Sequence, residues 1–392
     1  MRTLVTIRRI TDIQPIANKD MIVCAFVEGW TVVVKKDQFQ VGDPCVYFEP
    51  DCFLPEGDPR WQFLVEKRSK EYDGKRGHVL RTIRLGGVYS NGFCSSLSEF
   101  PELEHIDVSN PELNVDVTEI LNIQKYDPPE VMTMNRAAGT KGNFPSFLQK
   151  TDKTRAQSLK SEIFNRESKV YSYIDGSGNE ITVSRQPMNT DDTEYEVTMK
   201  VDGSSMTVYS YNGTFGVCSR NLDLKVDEPD GNTFVLTALE FKLNEILPAL
   251  ASKYGNFAIQ SELMGPKVQA NPENFDNYHM FVFEVYDINT KRYVEPDIRY
   301  QVVQDVKQMM SDLGVPEKIA KRFQHVPILH KRTTLKELGA NDVADLLKMA
   351  DGPSIKAKRR EGLVFTRHNQ PTDHEGFTFK AISEDWLAAK KD

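Results

Sequence analysis

The sequence predicts an α+β protein with a β-rich N-terminal domain followed by a larger domain of mixed strands and helices. Up to about residue 120, the chain contains short runs of β-branched and aromatic residues, such as WTVVVKK and CVYFEP, separated by glycine and proline turn signals. From Phe144 onward, strand-like runs alternate with stretches whose apolar residues recur at helical spacing. The length of 392 residues allows two or three domains.

The N-terminal domain is expected to span residues 1–125. Several short strands with turns between them are typical of a small barrel or sandwich. The predicted strands are VTIRRI, MIVCAFV, WTVVVKK, CVYFEP, HVLRTIRL and VYSNGFC. Residues 126–143 contain Pro128-Pro129 and Gly139 and are predicted to be a linker.

The second domain is expected to span residues 144–392. The dipeptide Asn212-Gly213 predicts a tight hairpin turn between SMTVYSY and TFGVCSR, and the run EYEVTMKV before them is strand-like. Helical spacing predicts helices in TDKTRAQSLKSEIF, FVLTALEFKLNEIL and IRYQVVQDVKQMMSDLG, and the last of these is expected to end at Gly314. Further strands are predicted in FAIQSEL, MFVFEVYDI, GLVFTR and FTFKAIS.

The composition is that of an ordinary globular protein, with 39% hydrophobic and 27% charged residues. The sequence contains no run of about 18 apolar residues, so no membrane-spanning helix is predicted. The N-terminus lacks the apolar stretch of a signal peptide. The cysteines number 5 and form no C-x-x-C pair, which argues against a disulfide framework and a cysteine zinc site. We therefore expect a reducing compartment, the cytoplasm or the nucleus.

The charge pattern leaves nucleic-acid binding open. The net charge of -8 is not that of a typical nucleic-acid binder, but a basic patch can be local. Two basic runs exist, and the alternative for each is a solvated surface. Their members are Lys67, Arg68, Lys70, Lys75, Arg76, Arg81 and Arg84 in the first run, and Lys356, Lys358, Arg359 and Arg360 in the second.

The tetrapeptide Lys200-Val201-Asp202-Gly203 lies between two predicted strands and combines a nucleophile with an acid. A lysine becomes nucleophilic only when its surroundings release the lone pair. Asp202 is placed to hold a metal or to orient the amine, and Gly203 lets the backbone approach a nucleotide closely. Alone this motif is weak, and the alternative is an exposed turn lysine.

More motifs follow in order: Ser219-Arg220-Asn221, Ser261-Glu262-Leu263-Met264-Gly265-Pro266, Val285-Tyr286-Asp287-Ile288, Glu361-Gly362 and Phe379-Lys380-Ala381-Ile382-Ser383. Their order and spacing over about residues 144–386 resemble the covalent nucleotidyltransferases, the superfamily of DNA ligases, RNA ligases and mRNA capping enzymes. The runs FPSFLQKTDKTRAQ and SELMGPKVQ resemble ATP-dependent RNA ligases within that superfamily. We do not expect the C-terminal OB domain of DNA ligases and capping enzymes, because only a dozen or so residues follow Lys380.

The N-terminal sequence resembles the OB domain of the Deinococcus- and Naegleria-type RNA ligases, notably in the stretches GWTVVVKKDQFQVGD and YFEPDCFLPEGDP. The resemblance implies an OB-fold β-barrel followed by an adenylyltransferase domain of antiparallel sheets with helices, similar to ATP-grasp folds. It further implies sealing of 5′-phosphate and 3′-hydroxyl RNA ends, with ATP and Mg²⁺ or Mn²⁺ as cofactors. The expected partner is RNA or an RNA-containing duplex, and the expected state is a monomer.

The resemblance also implies the catalytic roles. Lys200 would form the phosphoamide bond to AMP. Asp202 and Glu361 would hold the water shell of a divalent metal, which suits Mg²⁺ because this ion keeps several waters. Lys380 would neutralise charge that builds on the α-phosphate.

The nucleotide-binding roles follow in the same way. Glu262 would accept hydrogen bonds from the ribose hydroxyls, and Tyr286 would stack on adenine with Asp287 supporting the site. Phe283 is the competing candidate for the stack, and Tyr286 as a core aromatic is the alternative. Arg220 would contact the ribose or the phosphates, and its alternative is a simple surface ion pair.

One position departs from the family pattern. Relatives often carry a second lysine two positions before the last one, where this chain has Thr378. The missing charge is expected to come from elsewhere, with the Lys356–Arg360 run as one candidate. Three rival interpretations remain: a DNA ligase, a capping enzyme, and an RNA-binding relative with weakened catalysis.

Overall fold

The computed structural model describes residues 3–127, 139–227, 231–369 and 377–389. Most of the predicted linker, residues 128–138, lies outside this described part. Across the described ranges, no helix has both the length and the apolar character needed to cross a membrane.

The N-terminal domain consists mainly of short antiparallel strands. They are β1 (Val5–Ile16), β2 (Lys19–Val27), β3 (Trp30–Lys35), β4 (Pro44–Phe48), β5 (Cys52–Pro55), β6 (Lys70–Tyr72), β7 (Lys75–Val79), β8 (Thr82–Leu85), β9 (Val88–Asn91), β10 (Phe93–Ser96), β11 (Asn114–Asp116) and β12 (Gln124–Lys125). One helix, α1 (Gln62–Lys67), and two 3₁₀ turns, Leu97–Glu99 and Pro101–Leu103, complete it. Four of the six predicted strands are confirmed as β1 to β4, whereas HVLRTIRL is divided between β7 and β8, and VYSNGFC between β9 and β10.

Three sheets arise from these strands. The largest has the order β10-β4-β1-β2-β3, with β11 also paired to β1. The others are β12-β5-β7-β6 and the hairpin β8-β9. The register of β1 against β2 shifts twice, at Ile10/Asp12 and at Pro15/Ile16, and such bulges bend a strand. The long strand β1 can therefore curl around the apolar core that contains Trp30 and Tyr47.

The second domain has fifteen further strands within the described ranges. They are β13 (Thr140–Asn143), β14 (Thr154–Arg155), β15 (Lys169–Ile174), β16 (Glu180–Arg185), β17 (Glu194–Lys200), β18 (Ser204–Tyr211), β19 (Thr214–Cys218), β20 (Leu222–Leu224), β21 (Phe257–Met264), β22 (His279–Asp287), β23 (Arg292–Tyr293), β24 (Phe323–His325), β25 (Ile328–Thr334), β26 (Gly362–Arg367) and β27 (Thr378–Ile382). The strand β13 pairs with β20, so residues 140–143 of the predicted linker belong to a sheet.

The helices of the second domain are α2 (Lys160–Phe164), α3 (Thr233–Glu240), α4 (Leu243–Tyr254), α5 (Pro296–Asp312), α6 (Glu317–Ala320), α7 (Val343–Ala350) and α8 (Glu384–Ala389). The predicted helix before Gly314 is confirmed as α5. The stretch TDKTRAQSLKSEIF contains β14, a 3₁₀ turn at Ala156–Leu159 and only then α2, so the predicted helix is shorter than expected.

The prediction of a single helix over FVLTALEFKLNEIL is wrong. It is two helices, α3 and α4, because Lys242 adopts a left-handed conformation with φ of 55° and turns the chain between them. The turn allows both helices to direct apolar residues, among them Val235, Phe241 and Ile246, into one core. This core covers one face of the larger sheet.

Two sheets frame the second domain. The larger has the order β13-β20-β19-β18-β21-β22-β23, with β24 paired to β22, and the smaller has the order β14-β27-β26-β17-β25. The Asn212-Gly213 turn joins β18 to β19 as predicted, with both residues at positive φ. The chain passes from the smaller sheet to the larger one between β17 and β18, where the Lys200 motif lies. The α+β fold class is confirmed.

The two domains pack against each other through the segment that contains β14 and α2. The main-chain N–H of Gly29 donates to the carbonyl oxygen of Gln157 at 3.0 Å, and Nε1 of Trp30 donates to Oγ of Ser158 at 3.1 Å. An ion pair of 3.1 Å joins Arg155 to Asp51. The first domain therefore borders the same edge of the second domain as β14 and β27.

Candidate active site

Lys200 is the last residue of β17 and pairs with Gly362, the first residue of β26. This register brings Glu361 beside Lys200, and Nζ of Lys200 donates a hydrogen bond to Oε2 of Glu361 at 2.8 Å. The two side chains are 26% and 14% exposed. The predicted nucleophile and one predicted metal ligand thus form a partly buried ion pair where the two strands meet.

Gly203 lies where the backbone comes close to β21. A Cβ atom at this position would lie 2.5 Å from the carbonyl oxygen of Leu263 and 2.8 Å from Cγ of Glu262. The main-chain N–H of Gly203 donates to Oε1 of Glu262 at 3.1 Å. The neighbouring strand itself therefore requires a glycine here, independently of any nucleotide.

Three carboxylates surround Lys200. Burial by itself lowers the pKa of its ammonium group, but Glu361, Glu262 and Asp202 together outweigh burial, so the pKa of Lys200 is raised. Burial also raises the pKa of Glu262 to about 7, with Glu361 and Asp202 adding to the rise and Lys200 opposing it. In this arrangement Lys200 is an ammonium ion, and it needs a change of surrounding charge before it can attack an electrophile.

Lys380 lies on β27, between β26 on one side and β14 on the other. Its Nζ donates to Oδ1 of Asp152 at 2.8 Å, and the Lys380 side chain is only 12% exposed. The other carboxylate oxygen of Asp152 accepts a hydrogen bond from Lys125, on β12 of the first domain. Lys380 is therefore held by an acid that also contacts the first domain.

Arg220 follows β19, as predicted, and lies at the junction between the domains. Its Nη2 is 2.9 Å from Oδ1 of Asp127, and its side chain is 44% exposed. It also lines the cavity that contains Lys200. Arg220 therefore forms the ion pair that was the alternative, and it also lies where it could contact a bound nucleotide, as the resemblance implies.

The strand β22 contains the competing aromatic residues. Its register against β21 shifts, so that Gln260 pairs with Glu284 but Ser261 pairs with Val282, and Phe283 is the extra residue of a bulge. Phe283 lines the cavity. Tyr286 is only 4% exposed, packs in an apolar cluster with Leu148 and other residues, and does not itself line the cavity. Of the two candidates Phe283 is the one that reaches the cavity, and which ring stacks on adenine stays a prediction.

The charge expected in place of the Thr378 lysine does not come from the second basic run. Arg360 donates hydrogen bonds to the carbonyl oxygens of Met349, Ala350 and Asp351. These three residues form the C-terminal end of α7 and the position directly after it. Arg359 pairs with Asp351 and with Asp385. Neither Thr378 nor any residue from Lys356 to Arg360 lines the cavity.

Several charged residues of the cavity were not predicted. Lys125, Asp152 and Lys153 line it, and Nζ of Lys153 lies 3.2 Å from Oε1 of Glu284 and 3.8 Å from the centre of the Tyr293 ring. The resemblance of residues 144–157 to RNA ligases covered Asp152 and Lys153 without singling them out. No sequence pattern pointed to Lys125, which comes from the other domain.

The cavity has a volume of about 2560 Å³ and lies between the two domains. Tyr286 and Asp287 do not line it, whereas the other predicted site residues do: Lys200, Asp202, Arg220, Glu262, Glu361 and Lys380. Nowhere in the described ranges do three or more His, Cys, Asp or Glu side chains converge as a metal cage. The oxygen donors of Asp202 and Glu361 fit Mg²⁺ or Mn²⁺, because hard cations at phosphate sites often take one or two carboxylates and keep several waters.

Comparison with known proteins identifies the family of this chain. A family model described as RNA ligase matches residues 193–382, and one described as an OB-fold domain matches residues 4–97. The structure is similar to that of a Naegleria gruberi RNA ligase mutant in its apo form, with a TM-score of 0.78 and 36% sequence identity over 98% of this chain and 97% of that one. The chain belongs to the RNA ligase family.

Other solved structures of the Naegleria gruberi RNA ligase contain nucleotides or their products. The complex with PPi has 36% identity and a TM-score of 0.78 over 99% of this chain and 98% of that one. A mutant with ATP and Mn has the same identity and TM-score over 100% of both chains. Curated protein sequences gave no match to this chain. The predicted N-terminal OB fold and the predicted RNA ligase resemblance are both confirmed.

Proposed function

We propose that this RNA ligase joins RNA ends in an ATP-dependent reaction in which Lys200 carries AMP. The observation that carries the proposal is the ion pair of Lys200 with Glu361, at 2.8 Å, inside a cavity that Lys380 and Glu262 also line. A partly buried lysine among three carboxylates calls for a functional explanation, because removing charge from water costs free energy. Covalent nucleotide transfer supplies that explanation.

The proposed reaction has three steps. Nζ of Lys200 attacks the α-phosphorus of ATP, forming a P–N bond and releasing pyrophosphate. A 5′-phosphate oxygen of the RNA then attacks the same phosphorus, which breaks the P–N bond and leaves an AMP-capped 5′ end. Finally a 3′-hydroxyl attacks the 5′-phosphate, forming the phosphodiester and releasing AMP.

Two side chains are proposed to prepare Lys200 for attack. Asp202 and Glu361 would hold a divalent cation, which when bound contributes positive charge beside the α-phosphate. With their charge neutralised, Asp202 and Glu361 would no longer raise the pKa of Lys200, so burial would favour the neutral amine. Lys380 would stabilise the charge that develops on the α-phosphate.

The adenosine would occupy the cavity beside β21 and β22. Glu262 would accept hydrogen bonds from the ribose hydroxyls, and Phe283, rather than Tyr286, would stack on the base. Arg220 would release Asp127 and contact phosphate or ribose when substrate binds. Support for each role comes from the position of these side chains around one cavity.

The test is incubation of the full chain with α-labelled ATP and Mg²⁺ or Mn²⁺. We expect acid-resistant label on the wild type, none on Lys200→Ala, and full label on the control Lys318→Ala, which removes an exposed lysine of α6. Unlabelled wild type, or a labelled Lys200→Ala variant, would refute the proposal. Label from GTP rather than ATP would favour a capping-type enzyme.

The substrate is proposed to be a nick in an RNA-containing duplex, sealed by the monomer. Sealing assays with nicked duplexes and with single strands, both in RNA and in DNA, separate this reaction from a DNA ligase. RNA binding without lysyl-AMP would support a relative with weakened catalysis. All five cysteines are free and buried, which supports a reducing compartment such as the cytoplasm or the nucleus.

A further inference from the structure

Lys153 is a charged residue of the cavity to which the proposed reaction assigns no role. Its Nζ lies 3.2 Å from Oε1 of Glu284 and 3.8 Å from the centre of the Tyr293 ring, and its side chain is 16% exposed. Both Lys153 and Glu284 line the cavity. The ammonium group is therefore held from two sides while its side chain borders the space that a ligand would occupy.

Glu284, the partner of Lys153, is itself fixed in a buried network. Its side chain is 4% exposed, and its second oxygen, Oε2, lies 3.4 Å from Nη1 of Arg299. Arg299 is 1% exposed and donates from Nε to Nε2 of His325 at 2.8 Å. Burial and Arg299 lower the pKa of His325 to about 3, so this ring is neutral and can accept the hydrogen bond. The network therefore positions Lys153 before any ligand binds.

The register of the smaller sheet shows how far Lys153 lies from the proposed nucleophile. The residue two positions after Lys153 pairs with Lys380 on β27, so Lys153 itself is level with Thr378. Across β26, that level corresponds to Glu196 on β17, four residues before Lys200. Four residues of a strand span about 13 Å. Lys153 therefore faces a part of the ligand well removed from the atom that Lys200 would attack.

The wall of the cavity near Lys153 is the part proposed to hold the base. Glu284 directly follows Phe283, the bulge residue of β22 that is proposed to stack on adenine, and both line the cavity. A base stacked on Phe283 presents the atoms of its edge to the neighbouring side chains. An ammonium group offers only donors, and the adenine ring has nitrogen atoms that accept hydrogen bonds.

We propose that Lys153 is a specificity-determining residue that donates a hydrogen bond to a ring nitrogen of adenine, and that Glu284 positions it. The proposal rests on the proposed function, because it takes ATP as the substrate and Phe283 as the stacking residue. A base that lacks an acceptor at this point would leave a partly buried ammonium group without its hydrogen bond. Such a base would therefore bind less tightly.

The test measures binding of AMP and of its 1-deaza, 3-deaza and 7-deaza analogues to the full chain by isothermal titration calorimetry. Each analogue replaces one ring nitrogen by a C–H group and so removes one acceptor. We expect one analogue to bind the wild type about ten- to a hundredfold more weakly than AMP, the loss expected for a hydrogen bond to a charged group. Three analogues that all bind as tightly as AMP would overturn the proposal.

Lys153→Met connects this loss to the ammonium group. The variant is expected to bind AMP about ten- to a hundredfold more weakly than the wild type and to bind AMP and the discriminated analogue equally well. An undiminished preference for AMP would contradict the proposal. Lys153→Gln, which keeps a neutral amide beside Glu284, replaces Lys153→Met if thermal unfolding shows that variant to be unfolded. Its preference for AMP is expected to shrink, because a neutral donor forms a weaker hydrogen bond.

Lys253→Met is the matched control. Lys253 also pairs with a carboxylate, Asp305, at 2.5 Å, and its Nζ lies 5.0 Å from the centre of a tyrosine ring, that of Tyr254, but it does not line the cavity. We expect this variant to bind AMP and the analogues as the wild type does. Equal weakening in Lys253→Met would assign the effect to the loss of any positive charge, and the proposal would fail.

Binding of inorganic pyrophosphate separates the base from the phosphates as the group that Lys153 contacts. Lys153→Met is expected to bind pyrophosphate as tightly as the wild type does. A loss as large as that for AMP would place Lys153 at the phosphates and overturn the proposal. Because AMP binding requires no lysyl-AMP, absence of label on the wild type would refute the proposed function and leave the result with the analogues standing.

Discussion

Glu262 titrates close to neutrality, because burial and the carboxylates of Glu361 and Asp202 raise its pKa to about 7 from the ordinary 4.5. The folded state therefore holds the Glu262 proton more tightly than the unfolded state does. Between about pH 4.5 and pH 7 the unfolded chain releases this proton first, so the contribution of Glu262 to stability falls as pH rises.

Glu262→Gln removes this titration, and the comparison with wild type isolates it. We expect the wild type to lose about 2 kcal/mol of stability relative to Glu262→Gln between pH 5 and pH 8, allowing for partial solvent screening of Glu262. Denaturant unfolding at several pH values, without nucleotide or metal, measures this. A difference that does not change with pH would show that the pKa of Glu262 is ordinary.

Phe283 and Tyr286 offer a direct comparison of two aromatic residues on one strand. Phe283→Leu is expected to raise the KM for ATP in the adenylylation step about fivefold, because a stacking contact contributes about 1 kcal/mol. Tyr286→Leu keeps apolar bulk in its cluster and serves as the control. Steady-state adenylylation at varied ATP decides the matter, and a larger KM effect at Tyr286 would return the stacking role to it.

At the scale of secondary-structure elements, a buried ion cluster joins the smaller sheet to the larger one. Arg299 of α5 is 1% exposed and bonds to Glu196 on β17 and, at 3.4 Å, to Glu284 on β22. Its Nε also donates to Nε2 of His325 at 2.8 Å. The strand that ends in Lys200 is thus tied to the strand that contains Phe283.

Arg299→Met would leave two carboxylates buried without their shared cation. Removing one partner of a buried ion cluster costs about 3–5 kcal/mol, so we expect a large loss of stability. Thermal or denaturant unfolding measures it, and Arg292→Met, at an exposed arginine on β23, is the control. Equal stability of the two variants would mean that packing alone holds the sheets together.

At the scale of the whole molecule, hydrogen bonds and a close backbone contact join the two domains. A Cβ atom on Gly29 would lie 2.7 Å from the carbonyl oxygen and 2.8 Å from Cα of Gln157, so the domains approach each other at van der Waals distance. Ser161 adds a hydrogen bond of 2.7 Å from its Oγ to Glu28, and Asn91 bonds to Glu384 of α8 at 2.9 Å. The cavity between the domains therefore has a defined shape.

Gly29→Ala is expected to disturb this contact. Because backbone atoms cannot yield as a flexible side chain can, we expect a loss of about 1–3 kcal/mol and weaker sealing of nicked RNA. Thermal unfolding and a sealing assay measure the two effects. Gly142→Ala, where a Cβ meets nothing within 4 Å, is the control. Unchanged melting of Gly29→Ala would indicate that the domains separate without cost.

By itself, the sequence determined the α+β class, most strands of both domains and the order of the motifs. These features are local, since turn dipeptides, alternation and short motifs are written in neighbouring residues. It also predicted that Lys200, Glu262, Glu361 and Lys380 would share one site, through resemblance to a family. The pairings of β17 with β26, of β26 with β27 and of β18 with β21 are what bring those four residues together.

Only the tertiary structure decided the rest. The bulge in β22 depends on its register against β21, and that register, not the strand's own residues, placed Phe283 rather than Tyr286 at the cavity. Likewise, Lys125 and Arg81 line the cavity because the first domain packs on the second. Arg359 and Arg360 of the second basic run instead contact residues at the end of α7. Contacts between residues far apart in the chain leave no spacing to read, and so they became visible only in the folded molecule.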